Sequence, residues 1–340
     1  SQGDGRFVDV TEESGIVAAD GKGLGVVAAD MAGEGKLSIY VANDTTANFY
    51  FVNQAEKPGG PPQFQDQAML AGVAFDGEGM AQASMGIAMG DGDEDGQLDI
   101  FVTNFFRQSN NYYKQESPHF FIDATRNMGL REPSILVLAF GTQFMDFELD
   151  GRLDLVVACG HVDDYRHKDQ PYMMPPQLYS NRGNGRYELL PAKPLGKYFE
   201  GEYLGRSVAT LDWNRDGKQD YAVLHLYAPS SLLSNTTDPV GRYLTLHVTA
   251  TRTARDAFGT TAVATVGDRE IVRHLHAGHG FQCSCQRVIH FGLGDAKQVD
   301  QLVVRWPSGE RETFDNVPTD REVMLVEGSG QLIDMPRDAK

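Results

Sequence analysis

Short apolar runs recur along the first part of the chain, separated by acidic turns rich in glycine. Three of the runs occupy residues 99–103, 154–158 and 220–224, and each begins at the aspartate that ends an acidic turn. Two matching runs, at 86–90 and 141–145, lead into such turns. Runs this short, with many β-branched and aromatic side chains, are typical of strands. The pattern therefore predicts pairs of strands joined by acidic turns.

Two further strands complete each repeat. The third is predicted from aromatic or leucine-containing runs, most of which end in a polar residue, at 49–53, 112–114, 178–181 and 232–235. The fourth follows a turn signal, at 64–66, 121–123 and 187–189. The acidic turns start at 30, 91, 146 and 212, so the repeat length is 61, then 55, then 66 residues. Four strands repeated at this period predict an all-β propeller of four-stranded blades.

The acidic turns carry the candidate chemistry. Side-chain oxygens at positions 1, 3, 5 and 9, a glycine at position 6 and the main-chain carbonyl of position 7 can surround a hard cation. Calcium suits such a site because it accepts many oxygen ligands in loose geometry, whereas zinc prefers histidine and cysteine. We predict three Ca²⁺ sites, made by Asp91, Asp93, Asp95, Gln97 and Asp99, by Asp146, Glu148, Asp150, Arg152 and Asp154, and by Asp212, Asn214, Asp216, Lys218 and Asp220.

An EF-hand is the obvious alternative for these turns. That loop needs a glutamate at position 12 and a helix on each side. Position 12 is instead Val102, Val157 or Val223, inside a predicted strand. A degenerate fourth copy starts at Asp30 and keeps Glu34, but it departs from the motif at Ala32 and Ser38, so we do not count it among the predicted Ca²⁺ sites.

The start of the chain resembles a fourth strand. Residues 3–9 match residues 183–187, which contain the predicted fourth strand of a later blade. The last repeat has no clear fourth strand of its own. Two explanations remain open: residues 7–10 complete the last blade and close the ring, or blades that precede this segment are not part of the sequence.

Composition narrows the class of protein. The 340 residues can form two domains, and no apolar run is long enough to span a membrane. The net charge of −17 argues against a nucleic-acid partner. Cys159, Cys283 and Cys285 are too few for a disulfide framework, and we expect free thiols.

Histidines close to the last two cysteines suggest a transition-metal site. His274 and His276 would share one face of a strand, with His279 nearby. The spacing typical of a tetrahedral zinc site is missing, so we favour packing or surface roles for these side chains.

The turns and their approach resemble FG-GAP/VCBS repeats, which occur in integrin α-subunit propellers and in secreted bacterial proteins. The glycines that precede the turns at Asp30, Asp91 and Asp146 by five residues are part of this likeness, and the fourth repeat has Ser207 in that place.

The segment from about 242 to 326 resembles the ASPIC/UnbV domain. The blocks that carry the likeness lie at 251–259, 277–281, 290–296 and 303–309. Their order after the repeats resembles the cartilage acidic protein-like (CRTAC) family. The resemblance implies about seven blades in an intact member, of which four are countable here, followed by a small β-sandwich or barrel. We divide the chain into propeller blades at 1–238, an ASPIC/UnbV domain at 239–328 and a C-terminal tail at 329–340.

These features predict a calcium-binding, non-catalytic recognition or scaffold module with a protein or glycan partner. Extracellular modules bind calcium at about 10⁻⁴–10⁻³ M, so such sites fill only outside the cytoplasm and predict a secreted or periplasmic protein. The alternative is a carbohydrate-active lyase or hydrolase on a calcium-stabilised propeller. Its candidate residues would be His161, Tyr165 and Arg166, in a long loop of the third blade. No known catalytic motif supports that alternative.

Overall fold

Four sheets built from consecutive strands form the first part of the molecule. The computed structural model describes residues 5–57, 60–183 and 185–336. In these residues the chain is all-β, as predicted, and its sheets comprise propeller blades followed by a separate β domain. No helix in the described ranges has the length and apolar composition needed to cross a membrane.

The blades contain fifteen antiparallel strands in chain order. The first blade has β1 (Gly23–Ala29), β2 (Ser38–Asn43), β3 (Phe49–Asn53) and β4 (Phe64–Asp66). The second has β5 (Ile87–Gly90), β6 (Asp99–Val102), β7 (Asn111–Ser117) and β8 (Phe120–Asp123). The third has β9 (Ala139–Met145), β10 (Asp154–Cys159), β11 (Gln177–Asn181) and β12 (Tyr187–Leu189). The fourth has β13 (Gly205–Leu211), β14 (Asp220–His225) and β15 (Ser231–Leu233).

Every acidic turn closes the hairpin between the first two strands of its blade. Position 9 opens the second strand and pairs with the residue just before position 1, as in Gly90 with Asp99 and Met145 with Asp154. Strands therefore flank the turns, and the EF-hand alternative is excluded. All four turns share one backbone shape, because position 4 has a positive φ in each, at Gly33, Glu94, Leu149 and Arg215.

A one-turn helix precedes the first strand of each blade. These helices are α1 (Thr11–Ser14), α2 (Ala68–Ala71), α3 (Arg131–Ser134) and α4 (Ala192–Leu195). Gly72, which ends α2, has φ +79°, and a Cβ there would lie 2.4 Å from the carbonyl oxygen of Phe121 in β8. The approach of helix to strand thus requires glycine. Large buried side chains, among them Tyr50, Tyr112 and Tyr179, fill the spaces between blades.

Residues 7–10 do not complete the fourth blade. They form no strand, the Phe7 side chain is 84% exposed, and the fourth blade has three strands among the described residues. The reason lies in α1: Gly15 at its end packs against the first blade, where a Cβ on Gly15 would lie 2.4 Å from the Phe64 carbonyl oxygen, as Gly72 packs against the second blade. The segment before α1 is therefore held at the first blade. Residues 3, 4 and 184 of the sequence match lie outside the described residues.

A β-sandwich follows the blades. One sheet contains β16 (Tyr243–Thr249), β19 (Ile289–Gly292), β22 (Arg321–Val326) and β23 (Leu332–Asp334). The other contains β17 (Thr261–Val266), β18 (Arg269–His274), β20 (Gln298–Arg305) and β21 (Arg311–Pro318). The two sheets enclose one apolar core around Trp306 and Phe291, so of the two alternatives it is a sandwich.

The segment expected to be a tail adds a strand to this domain. β23 lies within residues 329–340 and pairs antiparallel with β22 through Val323 and Asp334. Leu332 packs against the sandwich core, which accounts for the extra strand. Two apolar residues are too short a signal to identify such a strand from sequence. Residues 337–340 lie outside the described part of the chain.

Candidate metal centres

The turn of the second blade brings three carboxylates together. Ligand oxygens of Asp91, Asp93 and Asp99 lie within 4.8 Å of one another, and no other group of three acidic, His or Cys donors in the described ranges does so. One oxygen of Asp91 and one of Asp93 are buried without any hydrogen-bond partner. Buried carboxylate oxygens without partners are costly unless a cation faces them. The residues present therefore fit a hard divalent cation.

Asp99 has a second task at the base of this turn. One of its oxygens accepts the Gly92 N–H at 3.0 Å and the Tyr112 hydroxyl at 2.5 Å. The other accepts the Gln115 N–H of the third strand at 2.9 Å. Asp99, at position 9, thus connects the turn to strands β6 and β7. These hydrogen bonds also fix the position of the Asp99 oxygens that would face a cation.

Asp95 and Gln97 lie further out. Asp95 accepts the Gln97 N–H at 2.9 Å, and the Lys114 ammonium lies 3.5 Å from Asp95 and 2.5 Å from Asp93. The hydrogen bond to Asp93 raises the pKa of Lys114. Lys114 therefore supplies part of the positive charge that this acidic turn needs.

In the third and fourth turns the position 1 aspartate again accepts main-chain N–H groups. The carboxylates of these turns do not lie as close together as those of the second turn. Asp146 accepts the N–H groups of Asp150 and Gly151 at 3.0 and 2.8 Å. Asp212 accepts those of Asp216 and Gly217 at 3.1 and 2.8 Å.

At position 5 of these turns the carboxylate has a local partner. Asp150 pairs with the Arg152 guanidinium, and Asp216 accepts the Asn214 amide at 3.0 Å. The N–H groups of Arg152 and Lys218 donate to the same aspartates at 2.8 and 2.9 Å. Among the predicted ligands of these turns, Glu148 is partly exposed, whereas Asp154 and Asp220 begin strands as Asp99 does.

Burial dominates the electrostatics of these carboxylates. It raises the pKa of Asp91 and of Asp146 to about 7 and that of Asp99 to about 8. The pKa of Asp154 is raised well above its ordinary value for the same reason. Placing these groups as anions in a buried turn is unfavourable, and a bound cation would offset that cost.

Comparison with known families agrees with this architecture. Residues 146–223, which span the third and fourth turns, match the FG-GAP-like repeat, and residues 250–332 match ASPIC and UnbV. The chain joins an FG-GAP-like propeller to an ASPIC/UnbV sandwich. No curated protein sequence gives a match.

One similar solved structure is a lectin of Agrocybe aegerita, described as specifically recognising non-reducing terminal N-acetylglucosamine. The identity is 14% and the TM-score is 0.30, over 65% of this chain and 65% of the lectin chain. The chain thus spans about 65% of the lectin's length. With so low a TM-score, this likeness carries no weight for function.

Amide side chains link neighbouring turns of the FG-GAP-like propeller, which sequence reasoning missed. Gln115 lies in a third strand, Asn181 ends one and Asn235 follows one, and each donates to the carbonyl at position 2 of the preceding blade's turn. The acceptors are Met31 at 2.7 Å, Gly92 at 2.8 Å and Phe147 at 2.9 Å. The sequence shows a recurrent polar residue at or near the end of the third strand. The carbonyl that each of these side chains contacts lies in the preceding blade.

The residues considered for an enzyme site, His161, Tyr165 and Arg166, do not form an open site. His161 is 1% exposed and packs edge-on against Phe105 and Tyr165, with both centroid distances 5.2 Å. Burial lowers the pKa of His161. The Arg166 guanidinium forms an ion pair with Asp164 at 2.6 Å. His161 therefore contributes to packing within an aromatic cluster.

The histidine cluster lines a cavity between the propeller and the sandwich. His274, His276, His279 and His290 surround about 110 Å³ together with Cys285. β18 ends at His274, so His276 lies beyond the strand and the expectation of a shared strand face was wrong. In the described ranges no three donors of this cluster come within 4.8 Å of one another. All three cysteines are free, as expected.

Proposed function

We propose that this chain is part of a calcium-binding, non-catalytic recognition or scaffold protein of the cartilage acidic protein-like type that works outside the cytoplasm. The observation that carries the proposal is the second turn, where two buried carboxylate oxygens without partners lie beside a third acid. The same turn recurs in the third and fourth blades with the same main-chain geometry.

Calcium in these turns would neutralise carboxylates whose charged form is disfavoured by burial. The protein supplies the oxygens and the rigid hairpin, and the ion supplies positive charge. Each site at about 1 mM calcium, with a dissociation constant of about 0.1–1 mM, would contribute roughly 0.4–1.4 kcal/mol to stability. Three sites would give a few kcal/mol, which is a large share of a domain's net stability.

The partner surface we propose is a cleft at the end of the blades opposite the acidic turns. The cleft holds about 630 Å³ and is lined by segments that enter first strands and by the connection between β6 and β7. In an antiparallel blade these segments lie at the end away from the turn between the first two strands. Arg107, Arg131, Asp76 and Asn127 give the cleft polar groups of both signs, which suits a glycan or a polar protein loop.

Terbium luminescence tests the ion sites directly. Trp213 occupies position 2 of the fourth turn, and its main-chain N–H donates to Asp220 at 3.2 Å. Terbium in that turn would be sensitised by Trp213, because energy transfer requires a nearby aromatic group. We expect tryptophan-excited terbium emission that calcium competes away and that Trp213→Phe abolishes. Emission that survives Trp213→Phe and ignores calcium would contradict the proposal.

Partner binding is tested separately. Immobilised protein and glycan libraries are probed with the wild-type chain and with Arg107→Ala, in calcium and in chelator. A partner retained by the wild type in calcium, and weakened by the cleft variant, is expected. Turnover of a glycan by the purified chain would reject the non-catalytic assignment.

A further inference from the structure

The turn of the first blade has the shape of an ion site but lacks its ligands. Gly33 and Gly35 have φ +67° and +76°, as positions 4 and 6 do in the other turns. Asp30 accepts the N–H groups of Glu34 and Gly35 at 2.8 and 2.7 Å, which repeats the bonds of Asp146 and Asp212. The backbone that would wrap a cation is therefore intact.

The side chains around this turn would not hold a divalent ion. Ala32 and Ser38 stand at positions 3 and 9, and Ser38 uses its hydroxyl oxygen to accept the Asn53 N–H at 3.2 Å. Glu34, at position 5, pairs with Lys36 at 2.7 Å. Glu34 is also exposed, so Asp30, which is 5% exposed, is the one buried carboxylate of this turn.

A guanidinium from the sandwich lies against this carboxylate. Arg305 ends β20 in the ASPIC/UnbV sandwich, far from the turn along the chain. Its Nη2 lies 3.2 Å from Asp30 Oδ2 and also donates to the Gly33 carbonyl. A Cβ on Gly33 would lie 3.2 Å from Arg305 Nη1, so the small residue leaves room for the guanidinium.

Other arginines of the sandwich reach the turns differently. Arg269 bonds to Glu94 and to the Asp150 carbonyl, both at 2.6 Å, and Arg273 donates to the Gly151 carbonyl at 3.0 Å. These hydrogen bonds involve positions 4 to 6 of the second and third turns and do not reach a position 1 carboxylate. Within the described residues, Arg305 forms the one arginine ion pair with a position 1 carboxylate.

We propose that the guanidinium of Arg305 fills the cation position of the first turn as a built-in substitute for calcium. The first blade then needs no metal, and its turn is fixed to the sandwich by a permanent charge. The inference deepens the proposed function and rests on it, because it assumes that the other turns bind cations. It predicts an ion at each of the second, third and fourth turns and none at the first.

The test restores the missing ligands with and without the arginine. Crystals of the wild type, of Ala32→Asp/Ser38→Asp, and of Ala32→Asp/Ser38→Asp/Arg305→Gln are grown with terbium, and anomalous maps locate the ions. We expect three peaks in the wild type, three in the double variant and four in the triple variant. A peak beside Asp30 in the wild type, or in the double variant with Arg305 still in place, would overturn the proposal.

A single substitution keeps the idea testable if the combined variants do not fold. Arg305→Gln should lower the melting temperature by several degrees and by the same amount in calcium and in chelator, since no ion replaces the guanidinium. Arg255→Gln, at an exposed position in the loop between β16 and β17, is the matched control and should melt as the wild type does.

The two proposals fail in different ways. If calcium does not bind this protein, peaks are missing at all four turns while Arg305→Gln still destabilises in chelator. If the built-in cation is wrong, the other turns bind terbium, and the Arg305→Gln variant either melts like its control or is destabilised only when calcium is absent.

Discussion

At the scale of single residues, aspartates of one motif have different tasks. Asp93 presents a buried oxygen without a partner, whereas the oxygens of Asp99 accept the Gly92 N–H of the turn and the Gln115 N–H of the third strand. The sequence motif predicts the set but not this division, because the bonds depend on where the third strand passes.

Asp93→Asn separates ion binding from folding. Loss of one carboxylate charge should weaken calcium binding at the second turn about tenfold, equivalent to about 1.4 kcal/mol. Calcium titration by calorimetry measures the affinity. In chelator we expect little change in stability, since the variant removes a buried charge but also breaks the ion pair between Asp93 and Lys114.

Asp99→Asn should behave in the opposite manner. It removes one acceptor of the backbone N–H groups that fix the turn, so we expect a lower melting temperature in both calcium and chelator. Asp268→Asn, at an exposed position in the sandwich, serves as the control for both variants. Equal behaviour of the position 3 and position 9 variants would contradict the division of tasks.

At the scale of elements, neighbouring blades are connected by amide side chains. Asn181 Nδ2 donates to the Gly92 carbonyl at 2.8 Å and to the Leu153 carbonyl at 3.1 Å, and all three groups lie in buried surroundings. The third strand of one blade thus holds the ion turn of the blade before it. The turns therefore form a connected row and not four separate hairpins.

Asn181→Ala would leave two buried carbonyls without this donor. The Tyr187 hydroxyl still donates to both carbonyls, so the free energy of unfolding should fall by about 1 kcal/mol for each lost amide bond. Urea denaturation measures it, with the exposed Asn127→Ala as the control. A variant as stable as the control would show that the amide bonds add nothing.

The limits of sequence reasoning are clearest at this scale. In the blades, strand order and the acidic hairpins follow from local patterns, since each strand pairs with its neighbour in the chain. The Arg305 contact with Asp30 spans most of the chain, and no local pattern indicates it. β23 was missed because its pairing depends on an edge that exists only once the sandwich is folded.

At the scale of the whole molecule, the sandwich contacts the acidic turns of the blades through hydrogen bonds and an ion pair. The Gly241 and Gly294 N–H groups donate to the Glu148 and Leu149 carbonyls, both at 2.8 Å, and Arg215 of the fourth turn pairs with Glu322 at 2.5 Å. Charge in the turns therefore affects the blades and the domain beside them together.

Stability without metal should depend on pH. Burial raises the pKa of Asp91 and Asp146 to about 7 from an ordinary 3.8, so between these values the folded chain holds more protons than the unfolded chain. Stability in chelator should then fall as pH rises from about 4 to about 7. The stabilisation by calcium should grow over the same range, because calcium competes with protons. Melting curves across this range, with and without calcium, measure both effects; a calcium effect independent of pH would contradict the account.

Thermal unfolding at neutral pH in calcium, in magnesium and in chelator tests the central claim most directly. The account predicts a melting temperature several degrees higher in millimolar calcium than in chelator, with a smaller effect of magnesium, whose strict octahedral geometry suits these turns less well. Superimposable unfolding curves in all three conditions would contradict it.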